Sequence, residues 1–451
     1  MIVRRTVRFF DDRSGSAPLI KKTLRYVFPD HWSFLLGEIA LYSFVVLVGT
    51  GIFLTLFFEP SLANVTYHGA YESLRGTRMS EAYKSVVDMS FEVKAGLLMR
   101  QTHHWAADVF IVAIVLHVAR VLLTGAFRKP RDLVYYIGVG MLMLALLEGF
   151  LGYSLVDDLL SGMGLAIAYS VAVAIPFVGG NLGMLLWGAP FPGDHLFESR
   201  MYVLHVFILP VLIGALIALH LTLLATRHHT QFRGPGRSRH SAVGLPLLPG
   251  YAPRSLGLAC TVFAVLTLLG GLVQINPIWE WGPYEVALGT NGAQPDWYLG
   301  WLIGGLRLMP GFDVVIGDYT LVANPFWGGA LFPIVVFLIL FLWPSLERRL
   351  TRDHAFHHLL DRPRDRPWHT ATVAAFFTWV AVVFLAGASD RAFVYFGIPY
   401  IWQVWFFRAA VFALPVLVFV MTKRFCLTLA ESELYEERRK ALEEGAPALP
   451  G

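Results

Sequence analysis

The chain has 451 residues, of which 56% are hydrophobic and 15% charged, and its mean hydropathy is +0.57. That balance excludes a soluble globular domain, because many apolar stretches approach or exceed the roughly 20 residues needed to cross hydrocarbon. The net charge of +4 and pI near 9.0 do not point to nucleic acid, since the basic residues sort by segment rather than gather in one patch.

In chain order the apolar runs predict eight spanning helices, at 33–58, 97–124, 133–154, 200–225, 255–275, 322–344, 370–388 and 401–421. They imply a short N-terminal segment, 1–32, an N-terminal domain, 33–230, a C-terminal domain, 231–427, and a charged tail, 428–451. Each domain carries four spans. The N-terminus is basic and lacks an early apolar core with a small-residue cleavage site, so no signal peptide is expected. With the N-terminus in the cytoplasm, segments 1–32, 125–132, 226–254, 345–369 and 422–451 lie on the same side and hold 26 of the 36 Lys and Arg. The opposite loops hold six, and Arg100, Arg120, Arg200 and Arg408 sit within spans. The asymmetry sets the orientation by the positive-inside rule, with both termini cytoplasmic.

Residues 159–188 are uncharged and long enough to span, yet they carry Gly162, Gly164, Pro176, Gly179, Gly180 and Gly183 with no basic flank. Counting them as a span would invert every later helix and put the basic loops outside. The segment is expected to be a helical hairpin on the outer surface.

The second span carries His103 and His117, fourteen residues apart, and the fourth carries His205 and His220, fifteen apart. At about 100° and 1.5 Å per residue, fourteen residues return to within about 40° of the same face, roughly 21 Å along the axis. Fifteen residues leave about 60°, a difference that a bend at Pro210 can absorb. A single histidine in such a helix is more often a hydrogen-bonded packing residue. Two pairs of matched spacing on helices running the same way place His103 and His205 at an outer level and His117 and His220 at an inner one. Ionisable groups at membrane depth are costly and default to function. The arrangement suits two bis-histidine hemes, one above the other. His104 is about 140° off that face from His117 and is set aside as a ligand. The two cysteines, Cys260 and Cys426, form no Cys-x-x-Cys-His attachment motif, so the hemes would be b-type.

The first and third spans carry glycines at the same interval: Gly37 and Gly51, Gly138 and Gly152. Small residues commonly serve helix packing in membranes. Beside two histidine pairs of equal period, these four are better read as clearance for two macrocycle edges. Arg100, Arg120 and Arg200 would pair with heme propionates, the plainer alternative being snorkelling to headgroups.

From about Asp30 to Leu427 these residues resemble the cytochrome b subunits of quinol–cytochrome c oxidoreductases, the bc-type complexes. Arg100, His103, His117 and Arg120 match that family's Arg-x-x-His, thirteen residues, His-x-x-Arg pattern, and Gly37, Gly51, Gly138 and Gly152 fall where it has heme-facing glycines. Its quinol-oxidation signature, Pro-Glu-Trp-Tyr, stands here as Pro295-Asp296-Trp297-Tyr298. With Asp30-His31-Trp32 and the stretch 152–158, the chain is most similar to the actinobacterial branch, which uses menaquinol. Asp296 for Glu, and Val156 where many relatives have Pro, are departures near the quinol pocket. The resemblance implies an all-α integral membrane protein with a di-heme four-helix bundle in its N-terminal half. It also implies quinol oxidation outside, electron transfer through both hemes, quinone reduction on the cytoplasmic side, and proton translocation by a Q cycle.

Asp296 can accept a quinol proton, and Tyr298 or Tyr153 can hydrogen-bond the quinol oxygen. The same loop, 276–321, could otherwise be an interfacial aromatic cluster. The second electron of each quinol needs another route, which implies a Rieske iron–sulfur protein and a cytochrome c-type subunit. A homodimeric complex, joined in places to a terminal oxidase, is expected by resemblance. Arg227, His228, His229 and Gln231 could form the quinone-reduction pocket or merely a basic loop beside anionic headgroups. Two other classes remain. A heme anchor for a dehydrogenase would have fewer spans and no PDWY loop, and a transporter would show inverted repeats, which are not visible.

Overall fold

The computed structural model describes residues 26–227, 229–238, 241–288 and 295–443, together with Arg13, Gly15 and Leu24. Eight helices among the described residues are long and apolar enough to cross a membrane. In a bilayer core only helices or closed barrels satisfy every backbone polar group, so runs of this length and composition fold as helices.

The helices are α1 (Leu35–Thr55), α2 (Glu81–Phe91), α3 (Gly96–Thr124), α4 (Asp132–Ser154), α5 (Leu159–Val173), α6 (Gly179–Trp187), α7 (Phe197–Arg227), α8 (Ala252–Leu272), α9 (Gly300–Leu308), α10 (Phe332–Thr351), α11 (Pro367–Gly387), α12 (Ser389–Phe396) and α13 (Tyr400–Glu443). Helices α1, α3, α4 and α7 form a bundle in which α3 packs on α1 and α4 packs on α7. Helix α8 closes one side against α3 and α1, while α11 joins α9 to α13. Large apolar side chains such as Val45, Val48 and Ile52 remain exposed on α1, a face suited to lipid. The final helix continues unbroken past the expected end of the last span, so the charged tail through Glu443 extends it.

Residues 159–188 fold as two short helices, α5 and α6, neither among the eight long enough to cross a membrane. Asp158 caps α5 with its side chain on the Ser161 N–H, and Ser161 returns the bond to the Asp158 N–H. Such a reciprocal cap satisfies two otherwise orphaned donors and fixes where the helix begins. Gly179 abuts the Val173 carbonyl, so the two short helices fold back closely at a place where a larger side chain has no room.

Two departures from expectation position the site. Before Pro210, α7 widens over Leu204–Ile208, and the Leu209 N–H donates to the Leu204 carbonyl five residues back. A single wide turn of this kind takes up one extra residue. It contains His205, at the start of the fifteen-residue interval to His220, and takes up that interval's extra residue just before Pro210, where a bend was expected. The segment after Asp296, expected as loop, becomes the short helix α9. Its Gly300 and Gly304 lie against Gly387 and the Val383 carbonyl of α11, an approach that Cβ atoms would block. That contact fixes the end of the loop against the bundle.

Candidate functional site

Two cavities lie one beyond the other in the bundle of α1, α3, α4 and α7. The outer, of about 250 Å³, is lined by His103, His205, Gly51, Gly152 and Arg100, and opens onto Tyr153, Asp296 and Tyr298. The inner, of about 400 Å³, is lined by His117, His220, Gly37, Gly138, Arg120 and His229. Each cavity thus gathers one histidine from α3, one from α7, and one of the four evenly spaced glycines from each of α1 and α4.

The outer imidazoles are fixed through one ring nitrogen each. The Thr50 hydroxyl donates to the Val46 carbonyl at 2.7 Å, so at 2.9 Å from His103 Nδ1 it accepts. His205 Nδ1 lies 3.1 Å from the Glu148 carbonyl and 3.0 Å from its carboxylate, both acceptors. Each network assigns the proton to Nδ1 and leaves Nε2 with its lone pair. This is the second-shell pattern that orients metal-binding histidines. The two ring centroids are 6.3 Å apart. Two metal–nitrogen bonds of about 2 Å plus the two ring radii span about that distance, so one iron fits between them. At the inner level the buried Arg120 Nε has no hydrogen-bond partner, a donor that a heme propionate would satisfy, while the Nδ1 atoms of His117 and His220 lack the orienting partners found at the outer level. The donor sets at both levels therefore fit a bis-histidine heme.

The glycines sit against the imidazoles themselves rather than facing open space. A Cβ at Gly37 would lie 3.3 Å from His117 Cε1, one at Gly51 3.3 Å from His103 Cε1, and one at Gly138 3.7 Å from His220 Cε1. At Gly152 it would overlap His205 Cε1. Clearance for a macrocycle edge is the role expected of them; what each stands against here is an imidazole ring. A graded outcome follows. Gly152→Val should disturb the outer heme most, Gly51→Val and Gly37→Val should disturb the outer and inner hemes less, and Gly138→Val least of all. Visible spectra of the four purified variants would check this, and unchanged spectra throughout would reduce the glycines to ordinary helix packing.

The arginines divide. Arg100 lines the outer cavity and donates to the Asn276 carbonyl at 3.1 and 3.2 Å. Arg120 lies over the Phe34 ring, 4.9 Å from its centroid. Arg200, expected as a propionate partner, bonds Asp194 at 2.5 Å and the Trp187 carbonyl, with its side chain 43% exposed. The hairpin end supplies that carboxylate, so Arg200 ties the hairpin to α7.

At the mouth of the outer cavity, Asp296 is held by two partners. His104 Nε2 lies 2.8 Å from Oδ1, and the Tyr298 hydroxyl donates to Oδ2 at 2.9 Å. Burial, then the nearby Asp296 carboxylate, hold the Tyr298 phenol well above its ordinary range, so it stays protonated and donates. Trp297 Nε1 donates to Asp108 of α3 at 2.8 Å, which anchors the same loop. Tyr153 is buried beside Leu160, and Val156 lines the cavity too. His104, Thr50, Glu148 and Asp108 were not singled out for these contacts from the sequence. Glu148 alone carried a usable signal, being an acid inside a span one helical turn before Gly152. On the inner side His229 bonds the Tyr26 hydroxyl at 2.8 Å, while His228 lies outside the described residues.

Eight spans enclosing two histidine-walled cavities define a multi-pass membrane protein of the cytochrome type. The family model for cytochrome b(N-terminal)/b6/petB matches residues 108–283. The cytochrome bc1 complex cytochrome b subunit of Streptomyces coelicolor is 44% identical over 425 residues, covering 94% of this chain and 78% of that one. Its counterpart in Mycobacterium tuberculosis strain H37Rv is 45% identical over 445 residues, covering 98% and 80%. A solved hyperthermophilic respiratory Complex III shares the fold, with a TM-score of 0.69 over 92% of this chain and 98% of that one at 19% identity. The chain belongs to the cytochrome b family, as the cytochrome b subunit of a bc1 complex.

Proposed function

We propose that this subunit oxidises quinol, in the branch at hand menaquinol, at the outer cavity and passes one electron of each pair inward to a quinone bound at the inner cavity. His103 and His205 would hold an outer b heme, His117 and His220 an inner one, with Arg100 and Arg120 near their propionates. When bound, the hemes supply two one-electron carriers in series across the membrane. The observation that carries the reading is the outer histidine pair, with both Nε2 atoms left free and rings spaced for one metal ion.

The protein's own part at the outer cavity is positional and acid–base. His104 and Tyr298 hold Asp296 at the cavity mouth, where its carboxylate can take a quinol proton. Tyr153 and Tyr298 supply hydroxyls to the quinol oxygen. The second electron leaves through partners, a Rieske iron–sulfur protein and a cytochrome c-type subunit, in a dimeric complex that can associate with a terminal oxidase. Protons released outside and taken up inside make the cycle proton-translocating. A dehydrogenase anchor would need neither the outer acid–phenol pair nor the second cavity.

Stepwise redox titration of the purified complex should resolve two b-type components of different potential, and a single component would refute the reading. Orientation is tested separately. Reporter fusions at Gly234 should read cytoplasm, and those at Gly69 and Gly188 the outside. A cytoplasmic signal at Gly188 would mean that the hairpin crosses the membrane.

A further inference from the structure

The inner cavity holds a carboxylate that nothing above uses. Glu38 lies in the first turn of α1, next to Gly37, and lines the cavity beside Tyr251 and Ser255. The Tyr251 hydroxyl donates to its Oε1 at 2.6 Å and the Ser255 hydroxyl to its Oε2 at 2.5 Å. Tyr42 Oη lies 2.5 Å from Ser255 Oγ. The Phe28 ring stacks on Tyr251, with centroids 3.9 Å apart and planes 6° from parallel, and its centroid is 5.0 Å from that of His229. A short strand pairing of Val27–Pro29 with Gly244–Pro246 holds Phe28 there.

An acid in a first helical turn can serve the helix dipole alone, worth about 0.3–1 kcal/mol at an exposed position. Glu38 is instead turned from water into the cavity and bonded by hydroxyls from another helix. Each hydroxyl can donate to the carboxylate or accept from the acid, so the group can cycle between both forms in place. Beside it lies a flat aromatic plate, and beyond the plate an imidazole. Two proton donors flanking an aromatic surface suit a planar substrate with an oxygen at each end.

We propose that Glu38 is a proton donor to the quinone reduced in the inner cavity, with the Phe28–Tyr251 stack as the plate for its ring. The inference rests on the reading that this cavity reduces quinone. Reduction takes two electrons, delivered through the inner heme by two successive quinol oxidations at the outer cavity, and two protons. One proton leaves Glu38 as its O–H bond breaks and a quinol O–H bond forms, and the carboxylate is recharged from the aqueous side past Tyr251 and Ser255. The other comes from protonated His229 to the second oxygen.

The test uses the purified bc1 complex with its inner heme reduced beforehand and then mixed with a soluble menaquinone analogue, following heme absorbance. Glu38→Gln should keep both hemes yet slow reoxidation of the inner one by about 10²-fold, while Glu38→Asp recovers most of the rate. A Gln variant within about twofold of wild type would overturn the assignment and leave Glu38 as a tie between α1 and α8. Failure of the wild-type heme to react with the analogue would sink the reading of the cavity itself, and the proposal with it. Should Glu38→Gln lose the inner heme, Tyr251→Phe and Ser255→Ala decide, because they keep the carboxylate and strip its partners. Slower reoxidation in both supports the proposal, and wild-type rates in both overturn it.

Discussion

Replacing His103 or His205 by leucine should remove the outer heme from the purified complex, and replacing His117 or His220 the inner one. Leucine fills similar space in an apolar helix but offers no lone pair, so the bundle should survive while one of the two histidines that would hold the heme is lost. At the outer level the remaining histidine keeps its own orienting contact, Thr50 for His103 or Glu148 for His205, but a single imidazole is left to hold the group. Loss of a second-shell partner typically costs about 10–100-fold in metal affinity, and loss of a ligand costs more. Pyridine hemochrome analysis should therefore fall from two hemes per chain to one, and redox titration should lose one component while keeping the other. Two hemes per chain in His103→Leu would mean that the outer ligand lies elsewhere, with His104 the first to test. His104 is a poor substitute, because its Nε2 is already engaged by Asp296.

How much of this was legible in the sequence follows from the range of the interactions. The spans, the hairpin and the two levels are set by local periodicity and by apolar length, and these appear in the residue string. The matched intervals of His103–His117 and Gly37–Gly51 hold because a straight helix carries a fixed rotation per residue. The fifteen-residue interval of His205–His220 was legible as an anomaly but not as a cause, since a wide turn before Pro210 has the same composition as a bend. Contacts between distant segments left no pattern at all. His104 and Asp296 are 192 positions apart, and neither has a neighbour that announces the other. The same holds for Glu38 and Tyr251, 213 apart. Arg200 shows the same limit at short range: its bond to Asp194, six residues away, exists because the hairpin end places that carboxylate there, which the residue string does not announce.

The largest effect on turnover is expected at Asp296. If it accepts a quinol proton at the outer cavity, Asp296→Asn should slow quinol-dependent cytochrome c reduction by about 10²–10⁴-fold while both hemes remain bound. Asparagine keeps the shape and can still accept from Tyr298, so the loop should hold its place on α9 and the loss should fall on chemistry. The Tyr298 phenol cannot take over as base, because burial, the larger cause of its raised pKa, still acts when the Asp296 carboxylate is gone. Tyr298→Phe should for that reason cost less than Asp296→Asn, removing one hydrogen bond rather than the acceptor. Asp296→Glu lengthens the arm by one methylene and should retain most activity, provided His104 can still reach the carboxylate. Assaying the three forms with a menaquinol analogue, with rate and heme content measured together, separates the outcomes. Wild-type rates in Asp296→Asn would make this residue a clasp between α3 and the Trp297–Tyr298 turn, and the proton acceptor would then have to be another group lining the cavity, of which Glu148 is the nearest candidate by chemistry.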